Sequence, residues 1–304
     1  MKIKFKSTGE PNKLISWLNG FKEIEPSLLI EVDIKDSCFV AKSFPQDHTI
    51  IKYSKISFTQ AGYSLDAIID NNDEDITKTW NQKYGQRIKV GLWGILSGFV
   101  DVVSEVEKVD HFMEITFYYK ELVDGIEYHS TDIFMKSKTK KLHVETANIS
   151  DFFVELPDSK FMAICNLANP MHFRISEASI KELNSVSNIK GISSIDANKD
   201  SITFYTKMEQ DENGQTLPDS QYAIYAKDGN QSKSSYNILL GYVVDEDSAS
   251  CVESEVTVSK KNFIKATKGI SGEDVTITLD STPDVKMILS YGFSTIIIAG
   301  QRNY

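Results

Sequence analysis

Four stretches of helical periodicity, set in an otherwise strand-patterned chain of 304 residues, constrain the fold more than any other feature. The first follows Pro11, with Leu14, Trp17, Leu18, Phe21 and Ile24 at i, i+3, i+4, i+7 and i+10. The second covers 92–106 and carries Leu92, Ile95, Leu96, Phe99, Val102, Val103 and Val106. The third opens after Ser176, an N-cap residue type, and shows Ile180, Leu183, Val186 and Ile189. The fourth opens after Ser259, contains Phe263 and Ile264, and stops near Gly269. Between them run short alternating segments that fit strands: 28–32, 39–44, 49–58, 87–90, 113–119 and 128–135 in the first half, then 141–144, 201–207, 222–227, 236–243, 255–258, 275–279, 286–290 and 295–299. Turn chemistry at Asp124-Gly125, Asn213-Gly214 and Asp228-Gly229 separates several of these runs.

The helices fall in two pairs. Taking their starts at 13, 92, 177 and 260, the first and third are offset by 177 − 13 = 164 residues and the second and fourth by 260 − 92 = 168. This spacing reads as an internal duplication of pattern, although a strand-rich chain with helices scattered by chance would look similar. Each helix is apolar on one side only, so each must lie on a sheet with its polar side open. The expected class is α+β, with two duplicated domains, 1–148 and 149–304, each with two helices on one face of antiparallel sheets. The stretch 138–161 reads as the crossover between them. The length suits two domains of ordinary size.

Composition narrows the function classes. At 41% hydrophobic and 25% charged, the chain is neither disordered nor fibrous. Its formal charge of −10 means that any contact with nucleic acid must rest on a local field. The sharpest local feature is the fourth helix, where Lys261, Lys265 and Lys268 follow i, i+4 and i+7 beside Lys260. Such a face suits phosphate contact, and equally suits a solvated helix face. Lys13 and Lys22 on the first helix and Lys181 and Lys190 on the third add weaker basic signals, whereas the second carries Asp101 and Glu105. The acidic stretch 66–75 lacks the glycine and distal glutamate of a calcium loop. Five histidines show no metal-ligand spacing, and no P-loop, dinucleotide fingerprint or nucleophile elbow occurs. The expectation is a non-catalytic protein with no cofactor and no metal. Cys38, Cys165 and Cys251 form no paired framework, and no run reaches the ~18 apolar residues of a membrane helix. A cytoplasmic protein is expected, in the host cytoplasm if viral.

Helix-on-sheet domains repeated within one acidic chain, with lysines on helix faces, resemble the DNA polymerase sliding clamps, and in particular the phage processivity clamps and their PCNA-like relatives. The stretches that carry the resemblance are 14–58, 87–106 and 255–299, the last reading strand, basic helix, strand, turn and two further strands. The resemblance implies a ring of three two-domain chains around duplex DNA that tethers the replicative polymerase and is opened by an ATP-driven clamp loader. It implies a lumen lined by Lys13, Lys22, Lys181, Lys190, Lys260, Lys261, Lys265 and Lys268. It also implies an apolar pocket for partner peptides, for which Phe152, Phe153, Val154, Ile298 and Tyr304 are candidates, although aromatics of the crossover also serve simply as packing. A phage or viral structural β-protein, such as a tail or capsid-associated subunit, is the competing reading, and an enzyme assembled from distant residues is a third.

Overall fold

The computed structural model describes the chain except for residues 10–12, 46–48, 84–86, 123–126, 188–200, 210–214, 216–220, 229–235, 245–252, 269, 271, 273, 281–285 and 302–304. Two compact units emerge, one built from 1–43 and 53–155, the other from 44–52 and 156–304.

The first unit contains, in order, β1 (Lys2–Ser7), α1 (Leu14–Lys22), β2 (Leu28–Asp33), β3 (Cys38–Ser43), most of β4 (Ile50–Ser57), β5 (Tyr63–Ile69), α2 (Thr77–Lys83), β6 (Ile88–Leu92), α3 (Leu96–Val109), β7 (Glu114–Glu121), β8 (Tyr128–Lys136), β9 (Lys141–Glu145) and α4 (Ile149–Phe152). β1 alternates as its sequence demands, with Ile3 and Phe5 buried between lysines that point the other way. It pairs antiparallel with β5 and β7. β2 pairs antiparallel with β3 and β6, β7 with β8, and β8 with β9, while β6 and β8 touch in parallel at Ile88 and Lys89. Helices α1 and α3 pack side by side on the face that presents Ile30, Phe39, Ile115, Phe117, Ile133 and Met135. Leu14, Trp17, Leu18 and Phe21 of α1 and Leu96, Val100, Val103 and Val106 of α3 are the buried stripe. An apolar cavity of about 30 Å³ remains between helices and sheet.

The second unit contains α5 (Asp158–Cys165), β10 (Pro170–Ile175), α6 (Glu177–Ser187), β11 (Ser201–Met208), β12 (Tyr222–Asp228), β13 (Asn237–Val243), β14 (Glu255–Ser259), α7 (Lys260–Thr267), β15 (Val275–Asp280), β16 (Lys286–Tyr291) and β17 (Ser294–Ala299). Its pairing scheme repeats that of the first unit. β10 pairs antiparallel with β13 and β15, as β1 does with β5 and β7. β11 pairs with β12 and β14, as β2 does with β3 and β6. β15, β16 and β17 form a meander, as β7, β8 and β9 do. Helices α6 and α7 pack together, as α1 and α3 do, and Asn184 Nδ2 donates to Thr267 Oγ1 at 3.0 Å between them. The duplication read from helix spacing is therefore a duplication of strand order and partner. Segment 44–52 of the first half contributes to this unit, where the Ala299 amide donates to the Thr49 carbonyl at 2.9 Å.

Two elements depart from their sequence reading for local reasons. The second helix begins at Leu96, not Leu92, because Leu92 closes β6 and Gly94 turns the chain in the left-handed region (φ +69°), its amide donating to Ser27 Oγ at 2.9 Å. The crossover stretch 138–161 carries β9, as the alternation at 141–144 predicts, and in addition α4 and the start of α5, which no periodicity announced.

Candidate nucleic-acid interface

The polar sides of the two helix pairs are unlike in charge. In the first unit Lys13 stands exposed at the N-cap of α1 and Lys22 lies in its last turn. Lys22 Nζ is 3.0 Å from Asp101 on α3, and Lys108 Nζ is 2.5 Å from Glu105. Sequence placed basic residues on α1 and acidic ones on α3; packing the two helices together pairs Lys22 with Asp101, while Glu105 meets Lys108 of its own helix, which leaves Lys13 as the exposed lysine of α1. In the second unit, exposed Lys181 pairs with Glu177 one turn earlier on α6. Lys190 lies outside the described residues.

Helix α7 differs because it carries several lysines and no acidic residue. Lys261 and Lys268 are exposed and Lys265 is half-buried, so the three lysines at i, i+4 and i+7 form one basic ridge on the side away from the sheet. Phe263 is fully buried on the opposite side and packs on Phe204 of β11, with ring centroids 5.1 Å apart. Lys260 corrects the sequence reading. It is 7% exposed, and its ammonium lies 3.6 Å from Asp228 of β12. It shares the inward face with Phe263 and Thr267, so its charge meets Asp228 and not solvent.

The expected peptide-pocket residues separate. Phe152 and Val154 are exposed and Phe153 is half-buried, all three at the end of α4 and just beyond it. Phe152 packs at a tilt on Trp93 and Phe153 meets it edge-on, with centroids at 5.2 and 5.5 Å. Trp93 is itself 41% exposed, and Ile95 beside it is exposed too, so Trp93, Ile95, Phe152 and Val154 make an apolar surface in the first unit. What holds the crossover there is the close approach of Gly91: a Cβ at this position would lie 2.8 Å from Ile149 Cδ1 and from Phe153 Cε2. Lys89 adds an ion pair to Glu155 at 2.6 Å. Trp93 had no place in the sequence reading; the available signal was a large aromatic directly before the turn glycine that ends β6. Ile298 is the second correction, since it is completely buried in β17 of the second unit and serves as core. Tyr304 lies outside the described residues.

Two ionisable groups near these elements are displaced. Asp110, the C-cap of α3, is held down to about 2 by the hydroxyls of Ser137 and Thr139 and the Thr139 amide. Lys52 is pushed down to about 7 by burial. Among the described residues no three His, Cys, Asp or Glu side chains gather as a metal site, and no helix is long and apolar enough to cross a membrane.

No protein-family model matches the chain, and no curated protein sequence does. Solved structures do match it over its whole length. A PCNA from A. fulgidus, determined with the C-terminal region of FEN-1, superposes with a TM-score of 0.62 at 10% identity, covering 100% of both chains. PCNA from Entamoeba histolytica gives 0.61 at 10% identity, over 99% of this chain and 98% of that one. The chain has the DNA clamp fold. The β clamp of Helicobacter pylori, determined with a DNA ligase peptide, gives 0.59 at 10% identity over 99% of this chain but only 66% of its own. This clamp-fold chain thus matches the full length of a PCNA and about two thirds of a bacterial β clamp.

Proposed function

We propose that the protein is a DNA sliding clamp: a non-catalytic homotrimer, of the phage processivity-clamp type, that encircles duplex DNA and tethers the replicative polymerase. The observation that carries this reading is the repeated pairing scheme, with a helix pair on one face of each unit, in a chain that matches a PCNA end to end. The two compact units, divided at 148/149 in the sequence reading, act as successive clamp domains. Lys261, Lys265 and Lys268 give the strongest phosphate contacts, with Lys13, Lys22, Lys181 and Lys190 contributing less; Lys260 anchors its helix instead.

The physics suits sliding. Contacts made by exposed lysines on a helix face are non-specific and individually weak, so they hold DNA in place without fixing its register. A screening length of ~8 Å keeps the acidic remainder of the chain from cancelling the field at α7. Retention is topological, and opening is left to a separate ATP-driven loader. Partner peptides, that of the polymerase first, dock on the apolar surface of Trp93, Ile95, Phe152 and Val154, with Phe153 fixing its inner wall. Native mass spectrometry tests the assembly: a single species at three times 34.2 kDa is expected. A monomer at micromolar concentration, or extended tubes and sheets, would remove the ring.

A further inference from the structure

The basic helix α7 is pinned at both ends by buried lysines. At its first turn Lys260 meets Asp228. At its last turn the anchor is less direct. Lys52, contributed by segment 44–52, is 2% exposed, and its Nζ donates to Tyr291 Oη at 3.2 Å while lying 5.4 Å from the centre of the Tyr291 ring. The Tyr291 hydroxyl in turn donates to the Ala266 carbonyl at 3.2 Å. Ala266 belongs to the final turn of α7, whose carbonyls lack intrahelical partners and carry the negative end of the helix dipole.

The direction of these bonds is set by the Ala266 carbonyl. A carbonyl can only accept, so the Tyr291 proton is committed to it, and Nζ donates to Tyr291 Oη whether Lys52 is charged or neutral. A donor behind a hydroxyl strengthens that hydroxyl as a donor in turn, and burial raises the effect. We infer that Lys52 and Tyr291 are positioning residues for α7, holding its last turn, and so the side chains of Lys265 and Lys268, in a fixed place for phosphate contact. The part about phosphate rests on the sliding-clamp reading; the part about the helix does not.

The experiment separates the two parts. Amide hydrogen exchange is measured on the full chain without DNA for Tyr291→Phe, Lys52→Met and Lys52→Arg. Tyr291→Phe keeps the ring but loses the donor, and should speed exchange at the Thr267 and Lys268 amides by about three- to tenfold, the worth of one hydrogen bond. Lys52→Met should do so by a smaller factor, and Lys52→Arg should restore wild-type protection because it still donates. Unchanged exchange at 267–268 in Tyr291→Phe, or equal loss in the arginine and methionine variants, overturns the inference. Retention of loaded protein on a DNA circle is then compared across salt concentrations. If Tyr291→Phe loosens the helix yet leaves the salt dependence of retention unchanged, the positioning holds and the assignment of α7 to the DNA contact falls.

Discussion

Arginine 87 offers a test of how the first unit is held together. Strand β2 carries Glu31 and Asp33, both under 10% exposed, on the face away from α1 and α3. Lys42 of β3 meets Glu31 at 3.0 Å; Arg87, one residue before β6, meets Glu31 at 2.6 Å and Asp33 at 2.8 Å. Two carboxylates and two cations thus balance within one buried network. Replacing Arg87 by Met keeps an apolar stem but removes the guanidinium from both carboxylates. Breaking a fully buried pair costs about 3–5 kcal/mol. Arg87 retains 29% of its exposure, so water reaches part of the site, and a loss of roughly 2–3 kcal/mol is expected after that discount. The assay is urea denaturation at pH 7, run as a cycle with Asp33→Asn. The double variant should recover at least half of the loss, since it no longer leaves a charge behind. A single-variant loss below about 0.5 kcal/mol, the size of an exposed pair, or no coupling with Asp33→Asn, would refute the network as a structural element.

Other consequences are open to measurement. Reversing Lys261, Lys265 and Lys268 to Glu should leave the native mass of the assembly unchanged and lower polymerase processivity on a primed circle; undiminished processivity would take α7 out of the DNA contact. Asp110 should titrate near 2 by carbon-13 NMR. Its folded value lies below the unfolded one, so its contribution is present above about pH 4 and is lost as pH falls towards 2; a midpoint at or above 3.5 would mean that the cap over α3 is not formed in solution. Lys52 titrates near 7 when folded but near 10.5 when unfolded, so the unfolded chain holds more protons between those values and stability rises with pH across that window. Lys52→Met should remove this rise, and a rise that persists would place the titrating group elsewhere. Trp93→Ala should abolish capture of an aromatic-bearing partner peptide while leaving assembly intact; unaltered capture would move the docking surface elsewhere.

Much of the architecture was legible because amphipathic periodicity and strand alternation survive in a single sequence. Ser176 does cap α6, its Oγ accepting from the Ser179 amide at 3.1 Å, and Ser259 does stand at the start of α7. Strand β10 was missed because Pro170 opens it; β5 was missed although Tyr63, Leu65 and Ala67 alternate with Ser64 and Asp66, a short but legible signal; α5 buries only Phe161 and leaves Met162 exposed, so it shows no helical stripe. At the candidate interface the error over Lys260 was avoidable. Lys260, Phe263 and Thr267 fall at i, i+3 and i+7, which already puts that lysine on the apolar side. The ion pair between Lys22 and Asp101 was not avoidable, because it depends on two helices 79 residues apart lying side by side. Ile298 misled because Ile296–Ile298 is a continuous apolar run, buried on both faces, and nothing in its own sequence separates a core strand from a pocket wall.

The most direct test of encirclement uses a DNA circle. Protein is loaded onto a nicked plasmid, excess is removed, and the plasmid is cut at one site while bound protein is followed by gel filtration. The account predicts stable association with the circle and release within minutes of linearisation, prevented when both ends are blocked by bulky proteins. Equal release from circle and line, or retention on the open line, would contradict it.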